Sequence, residues 1–235
     1  MSYLTNPYMV SPASVDPIAK DSQANGATAS AGTTLSVSLT VADNTNRVLI
    51  CCTSCYNPEP ESTACTFGSQ NFIKVDTSLN SPSNGRADMW VLVNPDADTH
   101  DVEVTWGETM GKRGIGCYCF YNVLQTNPTS TPPDCIGVRV TDDSGGQADE
   151  VVASITPTTE NSMIVDALSW IIGSGYIPVD TLTAGWTNLY PSGKTGASQY
   201  DLTPTISSAN SMNYTNDKPD ALGHWANIMT EIKNG

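Results

Sequence analysis

The stretch Asn46-Arg47-Val48-Leu49-Ile50-Cys51-Cys52-Thr53-Ser54-Cys55 limits the fold of this chain more than any other. A polar turn, Ala42-Asp43-Asn44-Thr45, opens it, and Tyr56-Asn57-Pro58-Glu59-Pro60 closes it. Between those stops, alternation places Val48, Ile50 and Cys52 on one face of a strand and Leu49, Cys51 and Cys55 on the other. A short run that is apolar on both faces and bounded by turn residues is a strand buried on both sides rather than a helix. Its β-branched and small side chains, and the proline-rich exit, agree. Such a strand belongs in the middle of a sandwich.

The remaining segments fit around it. Leu35, Val37, Leu39 and Val41 alternate with Ser36, Ser38 and Thr40, the pattern of a strand with one wet face. Arg86–Asn94 is apolar on both faces, and Asp101–Trp106 alternates. In Lys112–Val123, Ile115, Cys117, Cys119 and Tyr121 oppose Gly116, Tyr118 and Phe120. A weak strand at Ser14–Ala19 precedes a small-residue loop, Asn25–Gly32. No stretch of convincing length has a helical period. About twelve short strands predict an all-β fold, a two-sheet antiparallel sandwich of jelly-roll type. Residues 14–235 form one such domain, and residues 1–13 form an extended N-terminal arm. That arm carries Tyr3, Leu4, Tyr8, Met9 and Val10, too apolar for a free tail and suited either to an interface with a neighbouring subunit or to wrapping back on its own domain.

The charge balance bears on partners. A net charge of −14 with only 10 basic residues argues against nucleic acid, whose phosphates need clustered Lys and Arg. No apolar run approaches the ~20 residues of a membrane span. Met1–Pro7 has neither a basic nor an apolar signal region, so no secretory signal is expected. Seven cysteines cannot all pair within one chain, and several sit in apolar strand runs. Reduced, buried thiols and assembly in a host cytoplasm follow as expectations.

Candidate chemistry is sparse. Cys52-x-x-Cys55 and Cys117-x-Cys119 could offer thiolates to zinc, but a zinc site needs its sulfurs to converge on a turn, and here they lie in extended runs. His100 and His224 are the only histidines, and neither lies in a catalytic signature. A carboxylate pair such as Asp166 with Glu103 would suit a glycosidase only at a set separation. Two acidic loops, Asp96 and Asp98 with Asp101, and Asp142 with Asp143, are candidate Ca²⁺ ligands, although neither has the EF-hand spacing. Trp170, Tyr176, Trp186, Tyr190 and Tyr200 are candidates for stacking on a cell-surface glycan. The competing expectation is that they cover a sheet edge or a subunit interface.

Several segments together resemble a β-sandwich module of phage virion and bacterial surface proteins. They are Asn46–Ile50, Phe67-Gly68-Ser69-Gln70, Arg86–Leu92, Val102–Thr105, Asn161-Ser162-Met163-Ile164-Val165-Asp166-Ala167 and Ala226–Lys233. The match runs in order from about Thr34 to Lys233, through short motifs that concern packing. The resemblance implies a non-enzymatic structural virion protein (capsid decoration, minor capsid or fibre component) that contacts other virion subunits as a homo-oligomer. It carries over no catalytic residue and no cofactor. A carbohydrate-binding or adhesion module, or a hydrolase on a sandwich scaffold, is the alternative.

Overall fold

A computed structural model of the chain describes residues 15–56, 61–80, 85–143, 150–171, 178–180, 184–189, 194–216 and 223–235. Seventeen strands and no helix occur among them. One sheet has β1 (Ala19–Thr28), β9 (Lys112–Tyr121), β3 (Val48–Tyr56), β7 (Gly85–Val93) and β6 (Ile73–Asn80) in that spatial order. A second has β2 (Gly32–Thr40), β8 (Thr99–Met110), β4 (Ser62–Phe67) and β5 (Gln70–Asn71). The third runs β10 (Ile136–Asp143), β17 (His224–Ile232), β12 (Met163–Ile171), β15 (Lys194–Asp201), β14 (Ala184–Leu189). The fourth runs β11 (Glu150–Ile155), β16 (Asn210–Asn216), β13 (Pro178–Asp180). All the pairings are antiparallel.

The expected antiparallel all-β sandwich is present, but with four layers rather than two. β3 shows why. Val48, Ile50 and Cys52 pack with Met163, Val165, Ala167 and Ile228 of the third sheet. Leu49, Cys51 and Cys55 pack with Cys65, Phe67, Val102, Val104 and Trp106 of the second. The third sheet is likewise covered twice, because Ile164, Leu168, Trp170 and Met229 face Val151, Ala153, Ile155, Met212 and Tyr214 of the fourth. A strand buried on both faces reads as a continuous apolar run, so the two inner sheets hold such runs and the two outer sheets alternate. On the second sheet the outward positions of β2 and β8 are Thr34, Ser36, Ser38, Asp101, Glu103 and Thr105.

The two halves of the chain share one topology. The order β1-β9-β3-β7-β6 is matched element for element by β10-β17-β12-β15-β14, and β2-β8-β4 by β11-β16-β13. Only β5 lacks a counterpart among the described residues. Asn46 and Asn161 enter the corresponding strands β3 and β12 with φ of 55° and 57°, a left-handed conformation that asparagine tolerates better than most residues. Inner sheet packs on inner sheet, so the centre of the molecule is the seam between the halves.

One expected loop is a strand. Asn25–Thr28 continue β1, with Asn25 opposite Gly116 and Thr28 opposite Arg113. These small polar residues carry no alternation signal, and the backbone of β9 pairs with them regardless of their side chains.

Strand direction sorts the connections by end. Both described ends of the chain lie at one end, here the proximal end. There Asn234 Nδ2 donates to the Asp16 and Asn122 carbonyls at 2.8 and 2.9 Å, and Asn122 Nδ2 donates to the Pro17 carbonyl at 2.9 Å. The crossing 122–135 lies there too, tied by Leu124 N–H to the Lys233 carbonyl and Gln125 Nε2 to the Arg47 carbonyl. β3, β6, β10, β12 and β16 all finish at the opposite, distal end, as their antiparallel partners β7, β9, β17, β15 and β11 require.

Candidate functional site

The densest polar cluster stands where β3, β4, β6 and β7 approach the distal end. On β7 the face turned toward the second sheet reads Arg86, Asp88, Trp90, Leu92, half charged and half apolar. Asp88 is fully buried. It accepts from Ser62 N–H at 3.1 Å, Ser62 Oγ at 2.5 Å, Thr77 Oγ1 at 2.5 Å and Arg86 Nε at 3.1 Å. Ser62 Oγ in turn accepts from Trp90 Nε1 at 3.0 Å. Arg86 reaches Glu61 at 3.1 Å, and Lys74 reaches Glu61 at 2.6 Å while lying 4.7 Å from the centre of the Trp90 ring. The hydrogen bond from Lys74, aided by the charges of Lys74 and Arg86, holds the Glu61 carboxyl below its usual range. Two cations meet two carboxylates, and the Ser62 hydroxyl is engaged as both donor and acceptor. With Thr53 Oγ1 accepting the Asp88 N–H at 3.2 Å, this chemistry ties β3, β4, β6 and β7 together.

Asp166 does the same for the other half. It is fully buried on β12 and accepts from Tyr214 Oη at 2.7 Å, Gln199 N–H at 2.7 Å and Asn227 Nδ2 at 3.2 Å. Glu231, also buried, accepts the N–H groups of Val138, Thr158 and Thr159 at 3.0, 3.0 and 2.7 Å. Burial opposes its ionisation, but those backbone donors outweigh it and leave its pKa below the ordinary value. A Cβ at Gly137 would collide with this carboxylate, so the close approach of β10 requires glycine there.

All seven cysteines are free and buried. Cys52 faces the third sheet and Cys55 the second, so this C-x-x-C cannot converge on one ion. Cys51 lies opposite Cys117 across the β3–β9 ladder, and Cys65 hydrogen-bonds to Cys51 from the second sheet. Burial pushes the Cys52, Cys65 and Cys117 thiols well up, and Cys135 to about 12. Cys52, Cys65, Cys117 and Cys135 are thus core thiols, the opposite of reactive ones.

The calcium candidates do not come together. Asp96 and Asp98 sit at the proximal end, where Asp98 Oδ1 accepts Thr99 N–H at 2.7 Å, while Asp101 faces outward on β8. Asp142 and Asp143 close β10 at the distal end, where Asp142 Oδ1 accepts Asp143 N–H at 2.8 Å. Among the described residues no three His, Cys, Asp or Glu side chains are placed to hold a metal ion. Other pairings separate as well. Glu103 faces outward on the second sheet and Asp166 lies beyond the first sheet, so the two cannot flank one bond. His100 packs edge-on against Phe67 at the proximal end, and His224 opens β17 at the distal end.

The aromatic candidates are corrected in part. Trp170 is fully buried beside Leu168, Tyr214 and Trp225, and Tyr200 packs edge-on against Tyr118 and Phe120. Neither offers a ring face to a sugar, because an inner sheet turns both of its faces toward neighbouring layers. Tyr176 and Tyr190 lie outside the described residues, as does the side chain of Trp186, whose backbone is in β14. The interface candidates Tyr3, Leu4, Tyr8, Met9 and Val10 also lie outside them.

A cleft of about 280 Å³ opens at the proximal end between β5, the ends of β6 and β7, and the 122–135 crossing. Ile73, Val91, Leu92, Val93 and Pro128 give it an apolar floor, and Gln70, Asn71, Asn94 and Thr129 give it an uncharged polar rim. It joins residues from three separate segments, 70–73, 91–94 and 128–129, so no local pattern announces it. The Asp88 cluster did leave a trace, in charges at alternate positions of an otherwise apolar strand.

Fold and sites together define an antiparallel all-β sandwich whose buried charges clamp strands to one another. Comparison with family models, with curated proteins and with solved structures finds no match to the chain.

Proposed function

We propose that the chain is a structural virion protein, a capsid decoration, minor capsid or fibre component that works by rigid display and subunit contact. The observation that carries this reading is the division of labour between the two ends. The described chain begins and finishes at the proximal end, beside the cleft and the 122–135 crossing. The connections 57–60, 81–84, 144–149, 172–177 and 217–222 leave from strand ends at the other. An arm can therefore fasten the body at its base while the far end faces outward. Four packed layers with hydrogen-bonded buried carboxylates suit a body that must hold its shape. The strand order favours the jelly-roll form, because in each half the first strand lies beside the last and the last beside the third. The resemblance of the strand motifs to phage virion modules points the same way.

The test is composition and assembly. Mass spectrometry of particles purified from the source should find the chain in fixed copy number, and light scattering of the pure protein should find a defined homo-oligomer. A protein that stays monomeric at every concentration and is missing from particles would sink the reading. Binding of a purified glycan with no particle association would transfer it to an adhesion module.

A further inference from the structure

We propose that the proximal cleft is the seat of the chain's own N-terminal segment, residues 1–14; which copy supplies that segment rests on the subunit-contact reading above. The cleft and the segment match in charge. No Asp, Glu, Lys or Arg lines the cleft, and Met1–Ser14 carries no charged side chain in a protein with a net charge of −14. They match in chemistry too. The floor of Ile73, Val91, Leu92, Val93 and Pro128 suits side chains such as Tyr3, Leu4, Tyr8, Met9 and Val10. The rim amides of Asn71 and Asn94 can donate to and accept from an extended backbone, while Gln70 is held by Asp96 N–H and the Asn94 carbonyl. Pro7 and Pro12 favour such an extended course and remove two N–H groups that would need partners.

Size and reach set the terms. A volume of 280 Å³ holds one or two large side chains rather than the whole segment, since ligand pockets begin near ~300 Å³. Fourteen extended residues span at most about 45 Å, at roughly 3.3 Å per residue. The first sheet, from β1 at one edge to β6 at the other, is only about 20 Å wide at ~4.8 Å per strand. The described chain starts at the proximal end, where the cleft lies, so its own cleft is within range of the segment. Val15, where the described chain begins, is exposed.

The experiment uses the full chain with a benzophenone amino acid in place of Tyr3 or Tyr8. On irradiation, at least one of the two should form an adduct that maps to peptides holding residues 70–73, 91–94 or 128–129. Adducts only elsewhere, or none from either position, would overturn the proposal. Val93→Glu places a charge on a half-exposed wall and Thr129→Glu one on the exposed rim. Either variant, with its melting temperature unchanged, should lose the adduct, and an adduct that persists in both also overturns the proposal. The adduct's mass separates the two ideas. A two-chain mass places the segment in a neighbour's cleft and supports subunit contact. A one-chain mass keeps the docking and removes the tether.

Discussion

Asp88 is buried in a layer where water does not reach, and every side-chain donor around it is fixed by a strand. Removing it strips the Ser62, Thr77 and Arg86 donors of their shared buried acceptor, although Arg86 keeps Glu61, at a cost of about 3–5 kcal/mol. Asp88→Ala should therefore lower the urea midpoint by an amount equivalent to that range, whereas Glu61→Gln, on the solvent side of the same cluster, should cost under about 1 kcal/mol. Equal losses from the two would mean that the cluster is not layered as described. Glu231 adds a pH dependence whose sign can be worked out. Its carboxyl titrates lower in the folded chain than in the unfolded one. The stability it supplies is thus complete above the unfolded value of about 4.3 and fades as pH falls through the folded value. Glu231→Gln should flatten the acid limb of melting temperature against pH below about 4.5 and leave the shape of the neutral limb unchanged. An acid limb identical to that of the parent chain would refute the role given to this residue.

Among elements, β3 is the one both halves depend on. Leu49 points into the core shared with the second sheet and is fully buried. An unpaired carboxylate there costs several kcal/mol, comparable with the whole ~5–15 kcal/mol of a domain. Leu49→Asp should abolish the cooperative melt followed by circular dichroism. Ser36→Lys is the control. Ser36 lies on the wet face of β2 opposite Glu103, so a lysine there gains a cross-strand partner and should move stability by under about 0.5 kcal/mol. A soluble, cooperatively melting Leu49→Asp protein would displace β3 from the centre.

At the scale of the whole molecule, the seven thiols report on how closed the layers are. Alkylation without reductant should label all seven after denaturation and almost none in the native protein, because every one is buried. Rapid native labelling of several would mean that the layers open. The arm gives a second test. Deleting residues 1–12 should leave the melting temperature within a few degrees, since the described layers complete their cores without it, while the assembled species seen by light scattering becomes smaller. A truncated chain that assembles normally has no tether in its arm, and one that fails to fold used the arm as part of the sandwich.

How much of this was legible in the sequence depends on the range of the force responsible. Side-chain alternation is local, so β3, β8 and β9 and their faces follow from residues 48–55, 102–106 and 115–121 alone. The doubly apolar runs of β3 and β7 announce strands covered on both sides by the same rule. The sequence also placed Cys51, Cys52 and Cys55 inside β3 and Cys117 and Cys119 inside β9, and there they are. It did not announce that the second half repeats the first, because strand order is set by backbone pairing between segments far apart, and backbone hydrogen bonds carry no residue code. Nor did it separate Glu103 from Asp166, bury Trp170, or bring Asn71, Val93 and Thr129 round one cleft. Which face of a strand meets which neighbour, and what is left open between them, is decided when layers stack to exclude water. That is a property of the packed whole, which only the tertiary structure holds.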